Sequence, residues 1–230
     1  MIELLNSWIG LFVAILSGIA LLYGFFKWLN LNIHLAPKQV IVKDGNLYGV
    51  LKDGAQRQLT FSDLDSNPIL IKKKLKVVFL RGQEIKSRQN YIRYKLMVLD
   101  LKKLEENVLA DQKPFLDGLD RSSEILSPIG MKLSPDQSKV LFVVEKYVTS
   151  GQLVQVDIKT HEFIELFPAE FFEFILSGEY SGNLLVGVSE IRDRGRDIHY
   201  HVYDWQGKSL HLFESEEEYR VFRGKALIKK

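Results

Sequence analysis

Positive charge interleaved with tyrosine is the most concentrated chemistry in the sequence. Between Ile69 and Lys103 stand Lys72, Lys73, Lys74, Lys76, Arg81, Lys86, Arg88, Arg93, Lys95, Lys102 and Lys103, opposed within that window only by Glu84 and Asp100. Arginine and tyrosine together are enriched at binding hot spots, since both offer flat contact area and directed hydrogen bonds. Arg81, Lys86, Arg88, Tyr91, Arg93, Tyr94 and Lys95 therefore form a candidate interaction surface. A solvated or lipid-facing patch ranks first, with Lys72, Lys73, Lys74 and Lys76 against anionic headgroups at about 1 kcal/mol per cation. A protein partner ranks next and nucleic acid last.

Other reactive side chains are sparse. His199 and His201 alternate on an expected strand and so share a face, with His211 further on. Zinc wants three or four ligands with supporting hydrogen bonds, so the pair reads as surface residues. Glu214, Glu216, Glu217 and Glu218 read as a solvated loop. The alternating charges of Arg192-Asp193-Arg194-Gly195-Arg196-Asp197 can pair among themselves, a structural role. No phosphate-binding glycine loop, His-Glu-x-x-His pair or calcium loop is present. With no cysteine there is no thiolate nucleophile, disulfide or lipid-bearing cysteine. The expectation is a protein without cofactor or metal that is not an enzyme.

The elements that would carry these residues are short. Beyond Pro37 the helical period gives way to β-branched and aromatic runs punctuated by turns such as Asp44-Gly45-Asn46, Asp53-Gly54, Pro135-Asp136 and Gln206-Gly207. The runs repeat. Lys76-Val77-Val78-Phe79 recurs as Lys139-Val140-Leu141-Phe142, and more loosely at Asn183–Val186 and Lys225–Ile228. In counterpoint come Leu47–Leu51, Leu96–Asp100, Leu153–Asp157 and His201–Asp204, each followed by a polar turn. Spacings near forty to fifty residues fit propeller blades, which bury both faces only by packing radially. Phe163, Phe167, Phe171, Phe172 and Phe174 then read as inter-blade core.

Leu133-Ser134-Pro135-Asp136-Gln137-Ser138-Lys139-Val140-Leu141-Phe142, followed by Gln152-Leu153-Val154-Gln155-Val156-Asp157, resembles the TolB-type propeller repeat. Gln58-Leu59-Thr60 with Asp65-Ser66-Asn67-Pro68 is similar to that family's junction between blades. The likeness spans residues 38 to 213, although Lys72-Lys73-Lys74-Leu75 stands where the family has Ser-Pro-Asp-Gly. TolB-type propellers also occur fused to serine peptidases, but the Gly-x-Ser-x-Gly elbow of that partner domain is absent. The fold expected is all-β: a small propeller of four blades over residues 38–230. A half-blade at 38–61 would be completed by C-terminal strands at 219–230, closing the ring.

Ahead of this domain, Ile9 to Phe26 contains no charge and is bracketed by Trp8 and Trp28. A hydrocarbon core of about 30 Å needs about 20 helical residues at 1.5 Å each, so residues 8 to 28 read as a spanning helix. Residues 1–30 form the anchor and 31–37 a linker. A cleaved signal peptide is disfavoured by Glu3 and by the lack of a preceding cation. Lys27, Lys38 and Lys43 follow the helix, which by the positive-inside rule leans the domain toward the cytoplasm, with an extracytoplasmic address as the alternative. Gly10, Ala14 and Gly18 make a candidate helix-packing stripe. Function is expected to be that of a single-pass, membrane-anchored propeller serving as a protein-interaction platform. The alternative is a TolB-like envelope protein in maintenance or transport.

Overall fold

The computed structural model describes residues 36–85, 91–110, 128–147, 150–192 and 195–227. The anchor and the Gly10, Ala14, Gly18 stripe lie outside these, as does Ile228 of the expected last strand. Among the described residues no helix is long and apolar enough to cross a membrane.

Four antiparallel sheets follow one another along the chain, each with its strands in sequence order. Sheet 1 holds β1 (Gln39–Lys43), β2 (Asn46–Val50) and β3 (Gln56–Gln58). Sheet 2 holds β4 (Asp65–Ile71), β5 (Lys76–Ile85), β6 (Tyr91–Asp100) and β7 (Glu105–Ala110). Sheet 3 holds β8 (Ile129–Leu133), β9 (Lys139–Tyr147), β10 (Ser150–Asp157) and β11 (Phe163–Pro168). Sheet 4 holds β12 (Phe171–Phe174), β13 (Leu184–Arg192), β14 (Gly195–Tyr203) and β15 (Ser209–Leu212). This is the expected succession of four blades, the first lacking one strand.

Why the sheets stack is written in their second strands. Val77, Val78, Phe79 and Leu80 are consecutive and all fully buried, as are Val140, Leu141 and Phe142, and Leu184, Leu185 and Val186. Since neighbours on a strand face opposite sides, both faces of sheets 2, 3 and 4 must be covered. Leu47, Val77 and Phe79 fill the space between sheets 1 and 2. Val78, Leu80, Val140 and Phe142 join sheets 2 and 3. Leu141, Phe167, Phe172 and Leu184 join sheets 3 and 4, with Phe174 packed against them. Phe163 packs on the cluster between sheets 2 and 3, and Phe171 on the far side of sheet 4. Four of the five phenylalanines thus lie between sheets as expected, while Phe171 packs on the outer face of sheet 4 and not between blades.

The C-terminal segment departs from expectation. Residues Glu216–Ala226 form a helix, α1, and not the strand that would have closed the ring on sheet 1. Ser215 caps it by accepting the Glu218 amide at 3.2 Å, while Glu218 reaches back to accept the Glu214 amide at 3.0 Å. Such reciprocal capping starts a helix wherever an apolar stripe follows. The stripe here is Tyr219, Phe222 and Ala226, packed with Ile175, Leu185, Val202 and Phe213 over the far face of sheet 4. Glu216, Glu217 and Glu218 of the acidic run are therefore the first turn of a helix and not a loop, with Glu214 just ahead of the cap. Among the described residues, no buried apolar cluster joins sheet 4 to sheet 1.

Turns hold the sheets in phase at both ends. At one end, Asp100, Asp157 and Asp204 each terminate a third strand and accept two amides of the turn that follows. Leu101 donates its amide to Leu75 at 2.9 Å, and Ile158 to Ser138 at the same distance, so adjacent turns are tied alike in sheets 2 and 3. The Ser134–Ser138 turn winds around Asp136, whose carboxyl is held down to about 2 by the Ser134 and Ser138 hydroxyls. Where sheet 2 lacks that sequence, Lys72–Lys74 make a 3₁₀ turn ended by Leu75 at φ 49°. At the other end, Asp44 (φ 49°) and Gly45 (φ 69°) form the mirror-image turn that suits a two-residue hairpin. The Gly45 carbonyl accepts the Asp65 amide at 2.7 Å, clasping the link from sheet 1 to sheet 2.

A Cβ at Gly45 would collide with the Asp63 carbonyl, whereas Gly54, also left-handed, faces open space. Gly54→Ala should cost about 1–2 kcal/mol, the price of the left-handed conformation alone. Gly45→Ala should cost at least about 2 kcal/mol more, because backbone must move. Urea unfolding of the two variants checks the difference.

Candidate functional site

Sheet 2 distributes the basic hairpin unevenly. Lys86 and Arg88 lie outside the described residues, and Tyr91 opens β6. Arg81 faces Lys95 across β5 and β6, and Gln83 faces Arg93. Arg81 is fully engaged within the domain. Its guanidinium grips Asp65 through two hydrogen bonds of 2.7 and 3.0 Å, pairs with Glu106, and lies 5.3 Å from the centre of the Phe79 ring. Tyr94 points to the opposite face and packs on the core between sheets 2 and 3. Of the seven residues, the structure groups Arg81, Arg93 and Lys95 on one face, Arg93 and Lys95 half-buried beside the Arg81 pair.

The histidines do not converge. His199 Nε2 lies 3.1 Å from Glu190, and His201 stacks on Tyr203 with Nδ1 at 3.3 Å from Ser209. Burial, and then the neighbouring His199, hold the His201 imidazole below its ordinary range. His211 pairs with Glu218 at 3.2 Å and stacks on Tyr180. Among the described residues no three potential ligands gather as a metal site.

A cleft of about 340 Å³ opens where β8, β12 and α1 meet. Its walls are Ile129, Gly130, Lys132, Phe171, Phe172, Glu173, Tyr219 and Arg223, with Val143 beneath. β8 and β12 are the first strands of sheets 3 and 4 and pair on one side only, so each presents an edge. A bulge between Ile129 and Lys132 slips the register of β8, with Gly130 at φ 66°. Lys132 then reaches across to donate to the Phe172 carbonyl at 2.8 Å, its ammonium 5.1 Å from the Phe172 ring centre. From the other side α1 delivers Arg223, whose two bonds to Glu173 are both 2.7 Å. Tyr219 stacks on Tyr200 with ring centres 3.8 Å apart.

These groups perturb one another. The Arg223 hydrogen bond holds the Glu173 carboxyl below its usual range despite partial burial. Burial lowers Lys132, with Arg223 adding to the effect and Glu173 opposing it. Burial also raises the Tyr219 phenol. Two cations and one carboxylate line a pocket whose other walls are three aromatic rings with Ile129, Gly130 and Val143, a setting suited to an apolar ligand oriented by a few charged groups. None of Lys132, Glu173, Tyr219 and Arg223 was marked by sequence motif. The readable signal was the Ser215-x-x-Glu218 cap with Tyr219, Phe222 and Ala226 at helical spacing.

No family model and no curated protein matches the sequence. Solved structures do match the fold. Dipeptidyl peptidase 4 of Porphyromonas gingivalis is 9% identical over 76% of this chain and 31% of its own, at a TM-score of 0.50. TolB from Acinetobacter baumannii is 15% identical over 74% and 39%, at 0.47. The β-propeller domain of the Trilobed protease from Pyrococcus furiosus is 16% identical over 77% and 56%, at 0.49. The chain thus spans less than two thirds of each of these structures. At such identities the likeness concerns the fold alone, an all-β arrangement of propeller blades. It also corrects one expectation. Dipeptidyl peptidase 4, matched at 0.50, is a peptidase, so the fold is one that an enzyme carries, and the expectation of a protein that is not an enzyme does not stand.

The Arg223–Glu173 pair ties α1 to β12. A double-mutant cycle with Arg223→Met and Glu173→Gln should give a coupling of about 1 kcal/mol at neutral pH, the upper end for a partly exposed, bidentate pair. Because the folded Glu173 pKa is depressed, the coupling is full above the unfolded value of 4.5 and fades as pH falls through the lower folded one. Urea unfolding of the four proteins between pH 7 and 3 measures both.

Proposed function

We propose that the chain is a TolB-like propeller module, tethered to a membrane by residues 8 to 28, that binds a protein partner as an extended segment in the cleft between β8, β12 and α1. The observation that carries this reading is the cleft itself: aromatic walls, paired charges and two strand edges in one place. Strand edges offer main-chain hydrogen bonds to an incoming strand, and pockets beside them select alternate side chains. Phe171 and Phe172 supply the apolar seats and Lys132, with ammonium hydrogens beyond the one given to the Phe172 carbonyl, the cationic contact, while Arg223 and Glu173 hold each other as a fixed wall. The basic hairpin of sheet 2 is secondary in this scheme, because its Arg81 is already committed to Asp65 and Glu106. Flanking charge favours a cytoplasmic domain, and the resemblance to TolB-type repeats favours an extracytoplasmic one. The cleft chemistry serves either address.

Photo-crosslinking in cells tests the reading with the full chain. A photoreactive residue at Ile129, half-exposed on the cleft wall at 52%, should capture one discrete polypeptide. Lys132→Glu should reduce that capture about tenfold, a loss of about 1.4 kcal/mol. The same probe at Lys208, exposed on a distant turn, should not capture it. Equal capture at Ile129 and Lys208, or capture indifferent to Lys132→Glu in a folded protein, would sink the proposal.

A further inference from the structure

A second surface is built by turns and not by strands. Lys38, Lys52, the Lys72–Lys74 triplet and the Lys102-Lys103 pair are all exposed. Their turns lie at one end of the sheets. Leu101 donates to Leu75, Lys74 reaches the Gln137 carbonyl at 3.3 Å, and Pro37 lines a pit with Leu51, Leu101 and Leu104. The chain therefore enters the domain, at Pro37, in the middle of this lysine cluster. Asp53 and Asp100, each with an oxygen on turn amides, Glu105 at 3.8 Å from Lys103, and Asp136 in the turn whose Gln137 carbonyl meets Lys74 share this end, and the seven lysines outnumber them. Among the described residues, Lys38, Lys52, Lys72, Lys73 and Lys102 make no ion pair, whereas Arg81 on β5 is held by two carboxylates.

Ten residues, and so eleven Cα-to-Cα steps, separate Phe26, the last of the uncharged run, from Pro37. Fully extended they span about 40 Å at 3.3–3.6 Å each, and any turn shortens this. The lysine face is thus the part of the domain that the tether holds nearest the headgroups. Attraction to an anionic surface acts within about 8 Å at physiological salt, so proximity and charge reinforce each other.

We propose that this turn face docks on anionic lipid headgroups, with the chain rising from the bilayer into the centre of the contact. The hairpin end that carries Asp44-Gly45 and the exposed Phe61 then faces away from the membrane. This inference rests on the tether of the proposed function and not on the cleft.

The sequence has no cysteine, so a single introduced one carries a fluorophore at a unique site. Full chain labelled at Glu105→Cys, beside the lysines, or at Phe61→Cys, at the opposite end, is reconstituted into vesicles bearing a headgroup quencher. In phosphatidylcholine with one quarter phosphatidylglycerol, the Glu105 label should be strongly quenched and the Phe61 label weakly. In pure phosphatidylcholine, or in 0.5 M salt, the two should converge. Each lysine near an anionic surface is worth about fivefold in partitioning, so K72E/K73E/K74E should shift the docked-to-undocked ratio by at least about a hundredfold. Should that variant misfold by circular dichroism, K102Q/K103Q reads the same face, with a shift of about 25-fold. Quenching that ignores lipid charge, salt and both variants overturns the proposal, as does a Phe61 label closer to the headgroups than the Glu105 label. Docking that appears only when an acidic protein is added overturns it too. Alkaline extraction reports separately on the tether. A chain that is extracted refutes the span, and the docked orientation with it.

Discussion

A β-sheet that is apolar on both faces cannot stand alone, and that constraint organises the molecule. Each second strand of sheets 2 to 4 carries an unbroken run of buried residues, with Phe79 and Phe142 among the largest fully buried side chains. Burying one such side chain is worth about 1.5–3 kcal/mol, so every uncovered face would forfeit several such contributions. Stacking the sheets in series covers the inner faces but leaves two ends, at sheets 1 and 4. At sheet 4 α1 covers the outer face, taking the position that a further blade would occupy in a continuing series.

Much of this was legible in the sequence because its repeats record repeated physics. Asp100, Asp157 and Asp204 recur because each nucleates the turn after a third strand, and Val77-Val78-Phe79 recurs as Val140-Leu141-Phe142 because each is buried on both faces. The helix was missed for a related reason. Lys225-Ala226-Leu227-Ile228 imitates the strand repeat, while the evidence for a helix lies upstream, in a cap and a stripe of period 3.6. Local resemblance at the end of a segment outweighed periodicity across it. Helices of eleven residues give a short periodic signal, and three glutamates in the first turn read equally well as a loop.

The cleft was not legible for a different reason. Lys132 meets Phe172 across forty residues, and Glu173 meets Arg223 across fifty. No local pattern records such meetings; they follow from the bulge in β8, the edge position of β12 and the rotation of α1. The basic window misled in the converse way. Counting charges between Ile69 and Lys103 omits Asp65 and Glu106, the two carboxylates that neutralise Arg81, because antiparallel pairing brings them in from outside the window. Lysines on turns escape this, since a turn tip has fewer neighbouring strands to supply a counter-charge.

The wall of the cleft and the cap of the fold are one element, and this links site to stability. An isolated helix of eleven residues is marginal in water, so α1 holds its place through tertiary contacts. Of its residues only Tyr219 and Ala226 are buried. The remaining hold comes from the Tyr219–Tyr200 stack, the Arg223–Glu173 pair and the bonds that Leu176 and Ser177 make to the Ala226 carbonyl. Sheets 2 and 3, by contrast, are buried on both sides by other sheets. β8 therefore belongs to a sheet covered on both faces by other sheets and β12 to the end sheet, while α1 is the least anchored layer of the cleft. Elements that move on ligand binding are drawn from the low-stability end of a structure. Adjustment of this cleft to an occupant would fall on the helix and leave the strands in place.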